Sequence, residues 1–246
     1  MTIFGYIKKF ILIFLKYASL VLFSLVAIIP LVSCVITAFK TDAEYNSTNV
    51  MTPPSSWLYF ENFVSAFKKA GMGRAFINST IILIAVLILS VFIGTQLAYV
   101  LNRFQFFGNT LIRNLFLVAC QLPGVAMQIA VYEMMYKLGF INNMFGYILM
   151  TCGTDVISIY IYIQFFENID YSLDESAIMD GASYFTIFYK ILLPLLKPAI
   201  VTACILKGVG TYNEYYNANL YLQDKKRYAT VATSLYTFVG PLGSKY

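Results

Sequence analysis

The residues in this sequence that could do chemistry are polar side chains that interrupt apolar stretches. The candidates among the ionisable residues are Glu133, Asp155, Lys207 and Glu214. A charged group facing lipid costs about 3 kcal/mol or more, so each marks either a functional site or a paired contact between packed helices. Both interpretations stay open for these four residues, and Glu133 could also lie near the membrane surface.

Amide and aromatic side chains cluster near the end of the last apolar stretch, at Tyr212, Asn213, Glu214, Tyr216 and Asn217. Amides and carboxylates pair with hydroxyl groups, and aromatic faces suit C–H surfaces, so these residues are candidates for contacts with a hydroxylated solute. The alternative for the tyrosines is an aromatic belt at the membrane interface.

Two further amides, Gln121 and Gln128, are seven residues apart and therefore share one helical face. They either line the same solute pathway or form a hydrogen bond between helices.

The residues that are missing exclude several kinds of site. The chain has no histidine, which excludes Ser-His-Asp catalysis and histidine metal ligands. Its four cysteines stand apart in apolar stretches and form no C-x-x-C pair. No phosphate-binding glycine motif is present. We therefore predict no catalytic residues, no metal site and no nucleotide bound to this chain.

The composition requires the elements around these residues to be membrane helices. Of the 246 residues, 59% are hydrophobic and 12% are charged, whereas soluble domains average about 45–50% and about 25%. Five apolar stretches reach the ~20 residues that span a bilayer. They are residues 10–39, 76–101, 111–135, 144–166 and 195–222.

We predict an all-α membrane protein with one transmembrane domain over residues 1–246. Stretches of this length must be helical because lipid satisfies no backbone hydrogen bond. The first stretch exceeds the ~7–15 apolar residues of a signal peptide, so we expect an uncleaved helix. The net charge of +5 is spread along the chain and indicates membrane flanks rather than a nucleic-acid surface.

The polar segment 167–194 between the last two stretches has strong helix signals. Ser172 and Glu175 have the spacing of a capping box, which predicts a helix start. Gly181 allows the left-handed conformation that ends such a helix, and Ser183 caps a second one. Pro194 and Pro198 then mark the entry into the last stretch. The segment is thus predicted to be a helix–turn–helix at the membrane surface.

Apolar side chains within this segment are predicted to form a knob that fits a groove on another protein. They are Ala177, Ile178, Ala182, Phe185 and Phe188. The alternative is an interfacial amphipathic helix without a partner.

The segment resembles the EAA loop of binding-protein-dependent ABC importer permeases. That pattern is E-A-A, three residues, G, nine residues and I-x-L-P. Here it reads Glu175-Ser176-Ala177, then Gly181, then Ile191-Leu192-Leu193-Pro194, with every spacer preserved. Serine replaces the middle alanine, and Asp180-Gly181-Ala182 matches the usual D-G-A.

Shorter stretches resemble the carbohydrate branch of that family, which includes the smaller membrane subunit of maltose importers. They are Glu61-Asn62-Phe63, Asn78-Ser79, Ala98-Tyr99 with Arg103-Phe104, Leu122-Pro123 and Tyr212-Asn213-Glu214. In the last of these, tyrosine replaces the usual tryptophan.

The resemblance implies the type I ABC importer permease fold and sugar import by alternating access. It also implies three partners: a second permease that completes a heterodimer, two copies of an ATPase subunit, and an extracellular substrate-binding protein. ATP and Mg²⁺ are expected on the ATPase, and no cofactor is expected on this chain. The family has a sixth span beyond the position of Tyr246, and we expect a truncated sequence rather than a lost helix.

Roles are expected for two sets of residues, the first from the resemblance and the second from the side-chain chemistry described above. ATPase coupling is expected at Glu175, Ala177, Asp180, Gly181, Ala182, Phe188, Ile191 and Pro194. The substrate pathway is expected at Tyr212, Asn213, Glu214, Asn217, Gln121 and Gln128.

The expected location is the bacterial inner membrane with a cytoplasmic N-terminus, chiefly because the loop must meet the ATPase. Charge alone does not decide this, since it would place seven basic residues inside and nine outside. Two alternatives remain: a permease of the same superfamily for a peptide or phosphodiester, and a membrane scaffold subunit that transports nothing.

Overall fold

The computed structural model describes residues 3–121, 124–153 and 155–236. Within these ranges every regular element is a helix and no β-strand occurs, which confirms the all-α prediction. The chain forms two compact units, Met1–Lys69 and Ala70–Tyr246. The single-domain organisation stays a prediction.

The first unit contains α1 (Ile3–Ala38), α2 (Asp42–Ser47) and α3 (Glu61–Lys69). The 36 residues of α1 correspond to about 54 Å of helix, which exceeds the ~30 Å hydrocarbon core of a bilayer. Large apolar side chains are exposed from Phe10 to Val35, as a helix surrounded by lipid requires.

Side-chain hydrogen bonds order the segment that follows α1. Asn62 Nδ2 donates to the carbonyl oxygens of Ala38, at 3.1 Å, and Lys40, at 2.7 Å. Glu44 and Thr41 form a capping box at the start of α2. Hydrogen bonds from Ser55 and Thr41 lower the pKa of the Glu44 carboxyl from 4.5 to about 2.

The second unit has twelve α-helices and one π-helix in the part of the chain that the structure describes. In order they are α4 (Met72–Arg103), α5 (Asn109–Gln121), α6 (Gly124–Lys137), α7 (Met144–Gly153), α8 (Val156–Glu167), α9 (Ser172–Met179), α10 (Tyr184–Thr186), the π-helix Ile187–Leu192, α11 (Leu193–Leu195), α12 (Lys197–Asn213), α13 (Tyr216–Tyr221), α14 (Lys225–Tyr228) and α15 (Val231–Leu235).

Helix α4 is the centre of this unit and packs against α7, α8 and α12. Gly94 allows the close approach of α8, because a Cβ atom there would lie 3.0 Å from Cε2 of Tyr162. One apolar core surrounds Tyr162 and joins the end of α4 to the segment 167–194. A second core surrounds Tyr147 and Tyr221.

Among the described residues, α1 and α4 are each long and apolar enough to cross a membrane alone. The number rises to four if each bent helix pair makes one span. The prediction of five spans therefore stays a prediction. The Leu122-Pro123 resemblance lies outside the described residues.

Two of the predicted continuous helices are broken. In the fourth stretch, α7 and α8 meet at 43°. In the fifth, α12 ends at Asn213 because Glu214 has an extended backbone conformation, and Glu214 Oε1 accepts a 3.0 Å hydrogen bond from the backbone N–H of Asn217 in α13. The expectation of one helix over residues 195–222 was wrong for this reason.

Candidate functional site

The segment 167–194, hereafter the EAA-like loop, turns sharply at Gly181. This glycine has φ = 77°. Its N–H donates to the carbonyl of Ile178, and that of Ala182 donates to Ala177, both at 2.9 Å. These two bonds are the Schellman pattern that ends a helix at a left-handed residue. The predicted end of the first loop helix is confirmed.

The predicted start of that helix was wrong in detail. Ser172 is its first helical residue, and the N-cap is Tyr171, which makes no side-chain cap bond. Asp170 Oδ1 instead accepts from the backbone N–H of Ser172 at 2.9 Å. Hydrogen bonds from Ser172 lower the pKa of Asp170. The capping box of Ser172 with Glu175 does not form, because the chain already turns helically at Tyr171.

The second half of the loop begins as predicted. The Ser183 hydroxyl accepts from the backbone N–H of Thr186 at 3.3 Å and caps α10. The chain then widens into the π-helix Ile187–Leu192, which was not predicted from the sequence, and reaches Pro194 in α11. A 70° bend separates this part from α12.

A buried ion pair anchors the loop to the end of α4. Arg103 Nη2 lies 3.1 Å from Asp174 Oδ2, and the two side chains are 6% and 7% exposed. The same Nη2 donates to the carbonyl of Ile169 at 3.0 Å. The Tyr171 ring lies 4.7 Å from the guanidinium, and its hydroxyl donates to the Arg103 carbonyl at 2.6 Å. The loop is thereby fixed to the main membrane helix.

The electrostatics of this pair reflect its burial. Burial raises the pKa of the Asp174 carboxyl, and the positive charge of Arg103 opposes that shift only in part. The pair was not predicted from the sequence. The only signal for the pair was the position of its two charges. Arg103 stands at the end of one apolar stretch, and Asp174 lies in the first turn of a loop helix.

The predicted coupling residues divide into exposed and buried ones. Glu175, Asp180, Gly181 and Pro194 are exposed, and Ala182 and Ile191 are half-buried. Ala177 and Phe188 are buried in the apolar core around Tyr162. The single outward apolar knob was therefore wrong for these two, whose side chains support the loop from within.

The most exposed loop residues include Met179, at 87%, and Phe185, at 72%. Together with Glu175, Ile178 and Asp180 they form what we call the loop face. This face presents both apolar and acidic groups outward. The docking role of the loop residues stays a prediction.

The expected pathway residues divide in the same way. Glu214 and Asn217 line a cavity of about 300 Å³ beside the break between α7 and α8. Gln128 Nε2 donates to Tyr221 Oη at 2.9 Å and to Asn217 Oδ1 at 3.3 Å, so Gln128 contacts one of the residues that line the cavity. Gln121, Tyr212 and Asn213 are not among the residues that line the cavity.

Three of the four ionisable residues found in apolar stretches, Asp155, Lys207 and Glu214, line this cavity, and the first two form a pair. Lys207 Nζ lies 3.7 Å from Asp155 Oδ1 and donates to the Thr151 carbonyl at 2.8 Å. That carbonyl lies in the last turn of α7. Glu133 instead pairs with Lys137 on an exposed helix face, at 3.1 Å.

Residues 88–225 match the profile of a family described as "Binding-protein-dependent transport system inner membrane component". The matched region includes the whole EAA-like loop and the cavity. It covers more than half of the chain.

Two relatives are similar over most of this chain. The diacetylchitobiose uptake system permease protein NgcG of Streptomyces coelicolor is 28% identical over 202 residues, which are 82% of this chain and 66% of that protein. The probable ABC transporter permease protein YurM of Bacillus subtilis is 33% identical over 206 residues, 80% of this chain and 65% of that protein. The chain thus spans slightly less than two thirds of the length of these relatives.

The fold also matches a solved structure. A crystal structure of a bacterial ABC transporter involved in the import of the acidic polysaccharide alginate contains a chain that superposes with a TM-score of 0.84. The match covers 97% of this chain and 83% of that one at 21% identity. It shows that this chain has the fold of an ABC importer membrane subunit.

Proposed function

This chain belongs to the family of binding-protein-dependent transport system inner membrane components, and from that premise we propose that it is the permease subunit of an ATP-driven sugar importer. It is a membrane protein. Its own role is to carry the solute across, whereas ATP and Mg²⁺ bind a separate ATPase. The sequence has no phosphate-binding motif of its own, which agrees with this division of labour.

The observation that carries this proposal is the geometry of the EAA-like loop. It exposes the loop face while its buried side is fixed to the membrane helices. Arg103 and Asp174 join it to α4, and Phe188 inserts into the core shared by α4 and α8. A push on the loop face is therefore transmitted to the helices instead of being absorbed by a flexible segment.

The ATPase docks on the exposed coupling residues, with Glu175, Asp180 and Gly181 in direct contact. Ala182, Ile191 and Pro194 shape the turn and the exit towards α12, while Ala177 and Phe188 transmit the movement. Closure of two ATPase copies then moves the loop as a rigid body, and the membrane helices rock between two access states.

The remaining partners follow from the family. A second permease completes the heterodimer, and an extracellular binding protein delivers the solute. The loop meets the ATPase in the cytoplasm, which places the N-terminus on the same side of the bacterial inner membrane. The sugar class is supported by the name of the relative NgcG and by the alginate importer whose fold this chain shares.

The test is to isolate the tagged chain gently from its native membrane and to identify the co-purifying chains by mass spectrometry. We expect an ATPase and a second permease. Gly181→Asp should reduce the recovered ATPase about tenfold, equivalent to about 1.4 kcal/mol of binding free energy. The reason is that it places a charged side chain at the docking turn, on a residue that must keep a left-handed backbone conformation.

The matched control is Gly139→Asp. Gly139 also has a positive φ, of 70°, and like Gly181 has no atom within 4 Å of the place that an added Cβ would take, but it lies in the turn between α6 and α7. The control should recover as much ATPase as the unmodified chain. Equal ATPase recovery with both variants would contradict the proposal.

A further inference from the structure

The cavity beside the α7–α8 break is lined by polar groups whose hydrogen-bonding capacity is unbalanced. Its lining includes Thr151, Asp155, Lys207, Thr211, Glu214 and Asn217. Asp155 is only 8% exposed. Its Oδ2 atom and the Thr211 hydroxyl oxygen have no hydrogen-bond partner among the described residues. Buried polar atoms left without a partner are costly and call for an explanation.

The position of Asp155 strengthens this observation. It is the N-cap residue of α8, where an aspartate ordinarily accepts a hydrogen bond from the first turn of its helix. Its side chain makes no such bond. The carboxylate instead lies beside Lys207 and belongs to the cavity lining, while its buried Oδ2 atom is left without a partner.

The charged donor of the cavity is already engaged. Lys207 donates to the Thr151 carbonyl and neighbours Asp155 Oδ1. Two carboxylates, those of Asp155 and Glu214, line the cavity together with this single ammonium group, so the three charges sum to −1. Negative charge is in excess in the cavity, and this net charge repels anions.

We propose that this cavity binds one ring of an uncharged saccharide, whose hydroxyl groups donate to Asp155 and Glu214. This inference rests on the proposed function and specifies the charge of its substrate. The volume of about 300 Å³ is at the lower end of small-molecule sites, which suits a single ring. A sugar acid is rejected because its carboxylate is repelled by the two carboxylates of the cavity, whose charge a single ammonium group balances only in part.

The test uses cysteine labelling in vesicles that contain the complete complex. Thr211→Cys is introduced after Cys34, Cys120, Cys152 and Cys204 are replaced by alanine, and import is checked in that background. Thr202→Cys is the matched control, since it is the same substitution on α12 at an exposed residue outside the cavity. Labelling rates are measured with a cationic and an anionic thiosulfonate reagent.

We expect the ratio of cationic to anionic labelling at residue 211 to exceed that at residue 202 about fivefold, as one net charge acting over ~8 Å of water predicts. Asp155→Asn should remove most of this difference. Glu133→Gln should not, because Glu133 pairs with Lys137 away from the cavity.

Protection of residue 211 from labelling by added sugars shows which kind of ligand the cavity binds. Diacetylchitobiose, maltotriose and an alginate oligosaccharide are each added before labelling. At least one of the two uncharged sugars should slow the labelling of residue 211 about threefold at twice its Kd, and the alginate oligosaccharide should not.

Protection by the alginate oligosaccharide, or equal charge ratios at the two positions, would overturn the inference. So would import of a sugar that gives no protection at residue 211, and in that case the proposed function stands. If the complete complex imports no solute at all, the proposed function fails and this inference fails with it.

Discussion

At the scale of single residues, the position of the EAA-like loop depends on Arg103. Its guanidinium contacts Asp174, the Ile169 carbonyl and the Tyr171 ring, all of them in or beside the first loop helix. Removing one partner of a buried pair leaves the other charge uncompensated, which costs more than the pair itself contributes. Arg103 is therefore a positioning residue for the loop.

We predict that Arg103→Gln lowers the free energy of unfolding of the detergent-solubilised protein by about 3–5 kcal/mol. The control is Arg113→Gln, which breaks the more exposed pair with Glu167, whose side chains are 33% and 40% exposed. Surface pairs contribute about 0–1 kcal/mol. Denaturant titration of both variants measures the difference. Equal losses in the free energy of unfolding would show that the buried pair stabilises the protein no more than the exposed pair does.

The cost of Arg103→Gln should also depend on pH. Burial raises the pKa of the Asp174 carboxyl above its ordinary 3.8, so the folded protein holds that proton more tightly than the unfolded chain does. Its contribution to stability is then fully present below about pH 3.8 and is lost as the pH rises through the folded-state pKa. Without Arg103 this pKa rises further.

We therefore expect the stability loss caused by Arg103→Gln to shrink when the pH falls from 7 to 4. The same denaturant titrations at the two pH values measure this change. A loss that stays constant between them would mean that the Asp174 charge is not what the variant leaves uncompensated.

Residue-level prediction from the sequence succeeded at two local signals and failed at a third, the capping box of Ser172 with Glu175. The left-handed Gly181 and the cap at Ser183 were predicted because both depend on a few neighbouring residues. The pairing of Arg103 with Asp174, and that of Asp155 with Lys207, depends on how distant helices pack. The sequence indicated only that such charges needed a partner or a function.

At the scale of elements, long apolar runs predicted where helices exist but not where they break. Beside the break between α7 and α8, Lys207 donates to the Thr151 carbonyl. Beside the break after α12, the Glu214 carboxylate accepts from the backbone N–H of Asn217. In both cases a polar side chain bonds a backbone group next to the break, so the break is visible only once the side chain's partner is known.

The packing of α4 against α8 gives a prediction at this scale. Gly94→Ala places a Cβ atom 3.0 Å from Cε2 of the buried Tyr162. We expect a loss of about 1–3 kcal/mol in the free energy of unfolding, typical of overpacking. Gly210→Ala on α12 is the control, because no atom lies within 4 Å of its added Cβ. Equal stability of the two variants would contradict the close contact.

A further element-level finding concerns Asn78 and Ser79, whose only signal in the sequence was a resemblance. Asn78 Nδ2 donates to the carbonyls of Arg227 and Ala229, at 3.0 and 2.9 Å. The Ser79 hydroxyl accepts from the backbone N–H of Val231 at 2.9 Å. These side chains tie the segment after α13 to the beginning of α4, so their role within this chain is architectural.

At the scale of the whole molecule, two sites lie in one helical unit, and residues of α8 and α12 contribute to both. The EAA-like loop is fixed to the apolar core around Tyr162, which also includes Ala199 and Ala203 of α12. The cavity is formed by α7, α8, α12 and α13. Movement of the loop is therefore transmitted to helices that also line the cavity. Such transmission is the physical requirement for coupled transport.

The sequence predicted this organisation through its composition and one long spaced motif. The composition required membrane helices, and the motif identified the family. The charge balance of the cavity could not be predicted, because Asp155, Lys207 and Glu214 meet only after a bend and a helix break bring them together.

The central claim is that the loop face contacts an ATPase, and site-specific photocrosslinking in native membranes tests it most directly. A photoreactive residue is placed at Met179, which is 87% exposed on the loop face, and in a control at Tyr136, which is 69% exposed on α6. We predict that position 179 captures an ATPase subunit and that position 136 does not. Capture of the ATPase from position 136 but not from position 179 would contradict the claim.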